Sequence, residues 1–141
     1  MFQGTYPYHI DDKGRLKMPA EFVHDLGVSF TITRGHNGCL WVMPEPEWRT
    51  MVERLQGGSI VDQRSLTLQR YFIGSAVTLS LDGQGRLTVP PVLREFAGIA
   101  HEVMVVGIGP RIEIWSRERH AAFEAQISDA LIEELARSAG L

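Results

Sequence analysis

Hydrophobic and polar positions change period several times along this chain, and each change marks a predicted element. The segment "RLKMP" from Arg15 alternates polar and apolar residues, as does "RLTVP" from Arg86. Leu16 and Met18, and likewise Leu87 and Val89, are therefore predicted to face a core, while Arg15, Lys17, Arg86 and Thr88 face outward. The runs "FTITRGHNGCLWVMP" and "VMVVGIGPRIEIWS" each place an alternating apolar run on both sides of a glycine-containing turn, which predicts two β-hairpins. Elsewhere the period lengthens to that of a helix. Trp48, Met51, Val52 and Leu55 precede Gly57 and Gly58, Leu68 and Phe72 lie one turn apart in a segment over about 62–72, and Phe123, Ile127, Leu131 and Leu135 form a C-terminal stripe.

The alternating segments sit inside a repeat. Aligned without a gap, residues 10–28 and 81–99 share Asp11/Asp82, Gly14/Gly85, Arg15/Arg86, Leu16/Leu87, Pro19/Pro90 and Gly27/Gly98. Upstream, "FQGT" and "FIGS" extend the match after a one-residue adjustment. Each repeat reads as strand, tight turn, strand, short helix and hairpin. In the Asp-x-x-Gly turn the aspartate accepts hydrogen bonds from turn amides and the glycine supplies a positive φ, so Asp11, Gly14, Asp82 and Gly85 are structural. Pro19 and Pro90 suit a helix start, Gly27 and Gly98 its end. A unit of roughly 45 residues can hardly bury a sufficient core alone. The two repeats, placed at residues 5–47 and 76–119, are expected to interlock into one pseudo-twofold, β-rich α+β barrel with peripheral helices.

Composition removes several classes of chemistry. The N-terminal stretch lacks a basic region leading into an apolar one, and no apolar run reaches the ~18 residues of a membrane span, so a cytosolic protein without membrane attachment is expected. Cys39 has no partner for an internal disulfide or a CxxC zinc site. The five histidines show no ligand spacing, "GIGPRI" lacks the glycine pattern of a dinucleotide site, and the adjacent Asp11 and Asp12 point in different directions. No cofactor, no metal and no catalytic residue is expected.

Charge leaves one outlier. The net charge of −3 runs against a nucleic-acid role, yet Lys13, Arg15 and Lys17 place a basic residue at every second position beside the first turn. Those side chains, with the turn's own amides, form a candidate phosphate-holding face.

The segments "MFQGTYPYHIDDKGRLKMPAEF", "LWVMPEPEW" and "DGQGRLTVPPVLREF", with the paired Asp-x-x-x-Arg signatures at Asp11/Arg15 and Asp82/Arg86, resemble the MraZ family of bacterial transcriptional regulators associated with the division and cell-wall gene cluster. The resemblance covers nearly the whole chain. It implies two SpoVT-AbrB-like repeats in a swapped-hairpin barrel, assembled into a ring-shaped homo-oligomer that binds repeated promoter elements of double-stranded DNA in the nucleoid. It assigns DNA contact to Lys13, Arg15 and Lys17. Gln84 and Thr88 replace the two lysines in the second repeat, so Arg86 is expected to pair with Asp82 or serve a subunit contact. The rival expectation is a protein-interaction or assembly module on the same barrel.

Overall fold

The computed structural model describes residues 1–58 and 61–141. The first repeat runs β1 (Phe2–His9), β2 (Arg15–Lys17), α1 (Ala20–Leu26), β3 (Phe30–Arg34) and β4 (Leu40–Pro44). Two helices, α2 (Glu45–Gln56) and α3 (Gln63–Phe72), lead to the second repeat, with β5 (Val77–Leu79), β6 (Arg86–Thr88), α4 (Pro91–Phe96), β7 (Glu102–Gly109) and β8 (Ile112–Ser116). Then α5 (Arg117–Ala125) and α6 (Asp129–Ser138) close the chain. The predicted order of elements is present in both repeats, and the architecture is α+β.

Strand pairing joins the repeats rather than separating them. The six-stranded antiparallel sheet has the order β1-β7-β8-β4-β3-β5, and β2 pairs with β6 in a separate two-stranded ribbon. Each repeat's opening strand thus lies against the other repeat's hairpin, β1 on β7 and β5 on β3. Equivalent residues face each other in the ribbon, where Leu16 is opposite Leu87, and the central pair of the sheet is β4 with β8. The strand order therefore reads the same when each strand is exchanged for its counterpart in the other repeat.

The sheet carries a core on each face. Leu16, Met18, Leu87 and Val89 from the ribbon, Phe22 and Leu26 from α1, and Leu93 from α4 pack on Ile32, Leu40, Val42, Ile112 and Ile114. On the opposite face Cys39, Trp41, Met43, Phe72 and Trp115 meet Trp48, Met51 and Leu55 of α2. Consecutive residues of β4 therefore alternate between two interiors, which is why "LWVM" is apolar throughout. Burial pushes the Cys39 thiol pKa up, with the neighbouring Glu113 carboxylate adding to it, so this cysteine stays a neutral core residue.

Two sequence expectations change. The C-terminal stripe is two helices: the chain breaks after Ala125, and the Ser128 hydroxyl accepts the Leu131 amide to begin α6. The likeness of "FQGT" to "FIGS" holds in letters only, because the former opens β1 while Phe72 ends α3. As a result β5 has three residues where β1 has eight.

Gly107 marks where the exchanged strand lies closest. A Cβ there would run into the Gln3 amide nitrogen and stand 2.6 Å from the Phe2 carbonyl carbon. Gly107→Ala is expected to destabilise by about 1–3 kcal/mol, since backbone rather than a side-chain tip must move. Gly83→Ala, with nothing within 4 Å of its added carbon, is the control and should melt like the parent.

Candidate nucleic-acid interface

Both turns are built around their aspartates. In the first, Asp11 Oδ1 accepts the Lys13 amide at 3.0 Å and the Arg15 amide at 2.8 Å, and its carbonyl accepts the Gly14 amide at 3.0 Å. In the second, Asp82 Oδ1 accepts the Gln84 amide at 2.8 Å and the Arg86 amide at 3.0 Å, and its carbonyl accepts the Gly85 amide at 3.0 Å. Gly14 at φ 78° and Gly85 at φ 75° occupy the left-handed conformation the turn requires. The Gly14 carbonyl accepts the Val89 amide and the Gly85 carbonyl the Met18 amide, so each turn is hydrogen-bonded to the opposite repeat.

This geometry corrects the expectation that turn amides are free to hold phosphate. Those of Lys13 and Arg15 are already taken by the Asp11 carboxylate, and that of Gly14 by the Asp11 carbonyl.

The same aspartates orient the arginines. Arg15 Nε donates to Asp11 Oδ2 at 2.6 Å, and Arg86 Nε donates to Asp82 Oδ2 at 2.9 Å. The Arg15 backbone N–H, joined by the Arg15 side chain and the Lys13 N–H, holds the Asp11 carboxyl below its ordinary value. Asp82 is lowered in the same way by the Arg86 and Gln84 amides and the Arg86 side chain. Both carboxylates thus remain ionised acceptors at neutral pH. Among the described residues, the terminal nitrogens of Arg15 and Arg86 have no hydrogen-bond partner within the chain.

Placement is where the structure adds most. In the ribbon Arg15 lies opposite Thr88 and Lys17 opposite Arg86. Because Leu16 and Leu87 point inward together, Arg15, Lys17, Arg86 and Thr88 share the outward face. Arg86 does pair with Asp82, as expected of it, but Arg15 pairs with Asp11 in the same way, and both arginines stand on one surface of the ribbon. Lys13 is exposed on the first turn, with Gln84 at the matching place on the second.

Arg94 on α4 also reaches this region, its Nη1 donating to the Asp11 carbonyl at 3.4 Å. The aligned position in the first repeat holds Val23, a mismatch that the repeat alignment itself carries. No group of three potential metal-ligating side chains occurs among the described residues, and no described helix is long and apolar enough to cross a membrane.

The chain matches the family described as "MraZ protein, putative antitoxin-like" twice, over residues 1–71 and 72–140. Among similar proteins, "Transcriptional regulator MraZ" of Moorella thermoacetica is 43% identical over 129 residues, covering 92% of this chain and 90% of the relative. The protein of that name from Heliobacterium modesticaldum is 42% identical over 123 residues, 87% and 86% of the two chains. That from Desulforamulus reducens is 38% identical over 138 residues, 98% and 96% of the two chains.

Proposed function

This chain belongs to the MraZ family, and from that premise we propose that it is a sequence-specific DNA-binding transcriptional regulator that reads DNA with the β2–β6 ribbon. The single observation that carries the mechanism is the ribbon register, which gathers Arg15, Lys17 and Arg86 on one outward face. The major groove of duplex DNA admits a two-stranded ribbon. Lys13 and Lys17 supply phosphate contacts that set register. Arg15 and Arg86, each held at Nε by an aspartate, present their remaining nitrogens to base edges or phosphates.

In this reading the exchanged strands form the swapped-hairpin barrel of two SpoVT-AbrB-like repeats, bounded at residues 5–47 and 76–119. The protein acts in the cytoplasm at the nucleoid, without enzymatic activity, on the promoter of the division and cell-wall gene cluster. Its partners are repeated promoter elements and further copies of itself in a ring. Support for self-association comes from α6, whose Leu131, Ile132 and Leu135 are 37–54% exposed, with Phe123 and Ile127 partly exposed before them. Several weak basic faces engaging adjacent elements at once reconcile DNA binding with a net charge of −3.

The test is a gel shift on DNA from upstream of the protein's own gene, with and without excess nonspecific competitor, repeated across salt concentrations. Specific complexes should survive the competitor. The logarithm of the affinity should fall with the logarithm of salt with a slope of roughly −0.9 for each phosphate contact. Equal binding to both DNAs overturns the specificity, and a flat salt response favours a protein-interaction module instead.

A further inference from the structure

The two Asp-x-x-Gly turns are alike within and unlike behind. Behind the first stands Arg94, a residue of the second repeat. Its Nη2 donates to the Ala100 carbonyl at 2.7 Å and its Nε to the Ile99 carbonyl at 3.2 Å, which fixes the guanidinium to the segment after α4. Its Nη1 then bridges at 3.4 Å to the Asp11 carbonyl. Packing shows the same asymmetry: a Cβ on Gly14 would meet the Val89 carbonyl at 3.2 Å and Arg94 Nη1 at 3.7 Å, whereas one on Gly85 would meet nothing within 4 Å. Among the described residues the second turn has no such strut, because the residue aligned with Arg94 is Val23, which has no side-chain donor.

We propose that Arg94 is a positioning residue for DNA recognition: it braces the first turn, and through Asp11 the guanidinium of Arg15, so that this turn meets DNA pre-organised while the second adjusts on docking. The inference rests on the DNA-binding reading and adds to it a residue that itself contacts no DNA. A planar guanidinium serves three carbonyls from one fixed fork, which a lysine ammonium cannot reproduce. Holding the turn beforehand removes an ordering cost that binding would otherwise bear.

The experiment crosses Arg94→Met, which keeps the aliphatic stem and loses the fork, and Arg94→Lys with Arg15→Ala and Arg86→Ala. Affinity is measured on a labelled duplex from upstream of the protein's own gene, with melting and oligomer size followed in parallel. Arg94→Met should weaken binding roughly tenfold, a typical coupling for groups in one hydrogen-bond network. The loss should vanish in the Arg15→Ala background and persist in full beside Arg86→Ala. The salt slope should not change, and Arg94→Lys should not restore the parent affinity. If Arg94→Met fails to fold, the same selective coupling is sought with Arg94→Lys.

Parent-like binding by Arg94→Met overturns the proposal. So does equal coupling to both arginines, which marks general destabilisation, or a slope reduced by about 0.9 with rescue by lysine, which marks a direct phosphate contact. Failure of the parent protein to bind the duplex is a different result, since it removes the DNA-binding reading itself.

Discussion

Alanine at Arg15 and alanine at Arg86 are each expected to lower specific DNA affinity by about 10- to 100-fold, the range for losing one well-placed arginine contact. The expectation is the same for both because their aspartate pairing and their place on the ribbon are the same. Each donates Nε to the aspartate four residues earlier, and each stands on the outward face of the β2–β6 ribbon. Folding should be spared: the ion pairs are partly exposed, and solvent screening leaves such pairs little weight in stability. Melting within about 4 °C of the parent is the accompanying result. Lys13→Ala and Lys17→Ala should behave differently, weakening all sequences alike and reducing the salt slope by about one. The comparison is made by gel shift on specific and scrambled duplexes at constant oligomer size. If Arg86→Ala binds like the parent while Arg15→Ala does not, only the first repeat reads DNA and the shared ribbon face is not the reading surface.

How far the sequence reaches into this site follows from the range of each signal. Alternation over "RLKMP" and "RLTVP" is local, so it correctly turns Leu16, Met18, Leu87 and Val89 inward and leaves Arg15 and Lys17 outside. It carries nothing about which strand lies alongside. That Lys17 faces Arg86 depends on β2 crossing to β6, a long-range pairing to which Leu16 and Leu87 contribute without any letter naming the partner. The turn is a similar case: Asp-x-x-Gly predicts a carboxylate among amides, but only the distances show that Asp11 leaves the amides of Lys13, Gly14 and Arg15 without spare donors. The C-terminal stripe misleads for the opposite reason. A four-residue spacing from Phe123 to Leu135 continues across a break, and the interruption is signalled only by Ser128, whose side chain caps the next helix.

Leu16→Ala and Leu87→Ala should each destabilise the protein by about 2–5 kcal/mol, the cost of removing a fully buried leucine and leaving a cavity. Their combined effect should not be the sum. The two residues are direct cross-strand partners at the centre of the β2–β6 ribbon, so the first truncation already loosens the packing that the second would remove. A double-mutant cycle should depart from additivity by about 0.5 kcal/mol or more. The shape of the transition is as informative as its midpoint. Trp41 belongs to the hairpin of the first repeat and Trp115 to that of the second, yet β1 is held by β7 and β5 by β3, so neither repeat can open without releasing a strand of the other. Urea unfolding followed by fluorescence of variants in which Trp48 is replaced and only Trp41 or only Trp115 is kept should therefore give coincident curves, shifted together by Leu16→Ala although that residue lies in the first repeat. Two separate transitions, with Leu16→Ala moving only the one seen by Trp41, would mean that the repeats fold as independent units and that exchanged strands do not bind them into one cooperative domain.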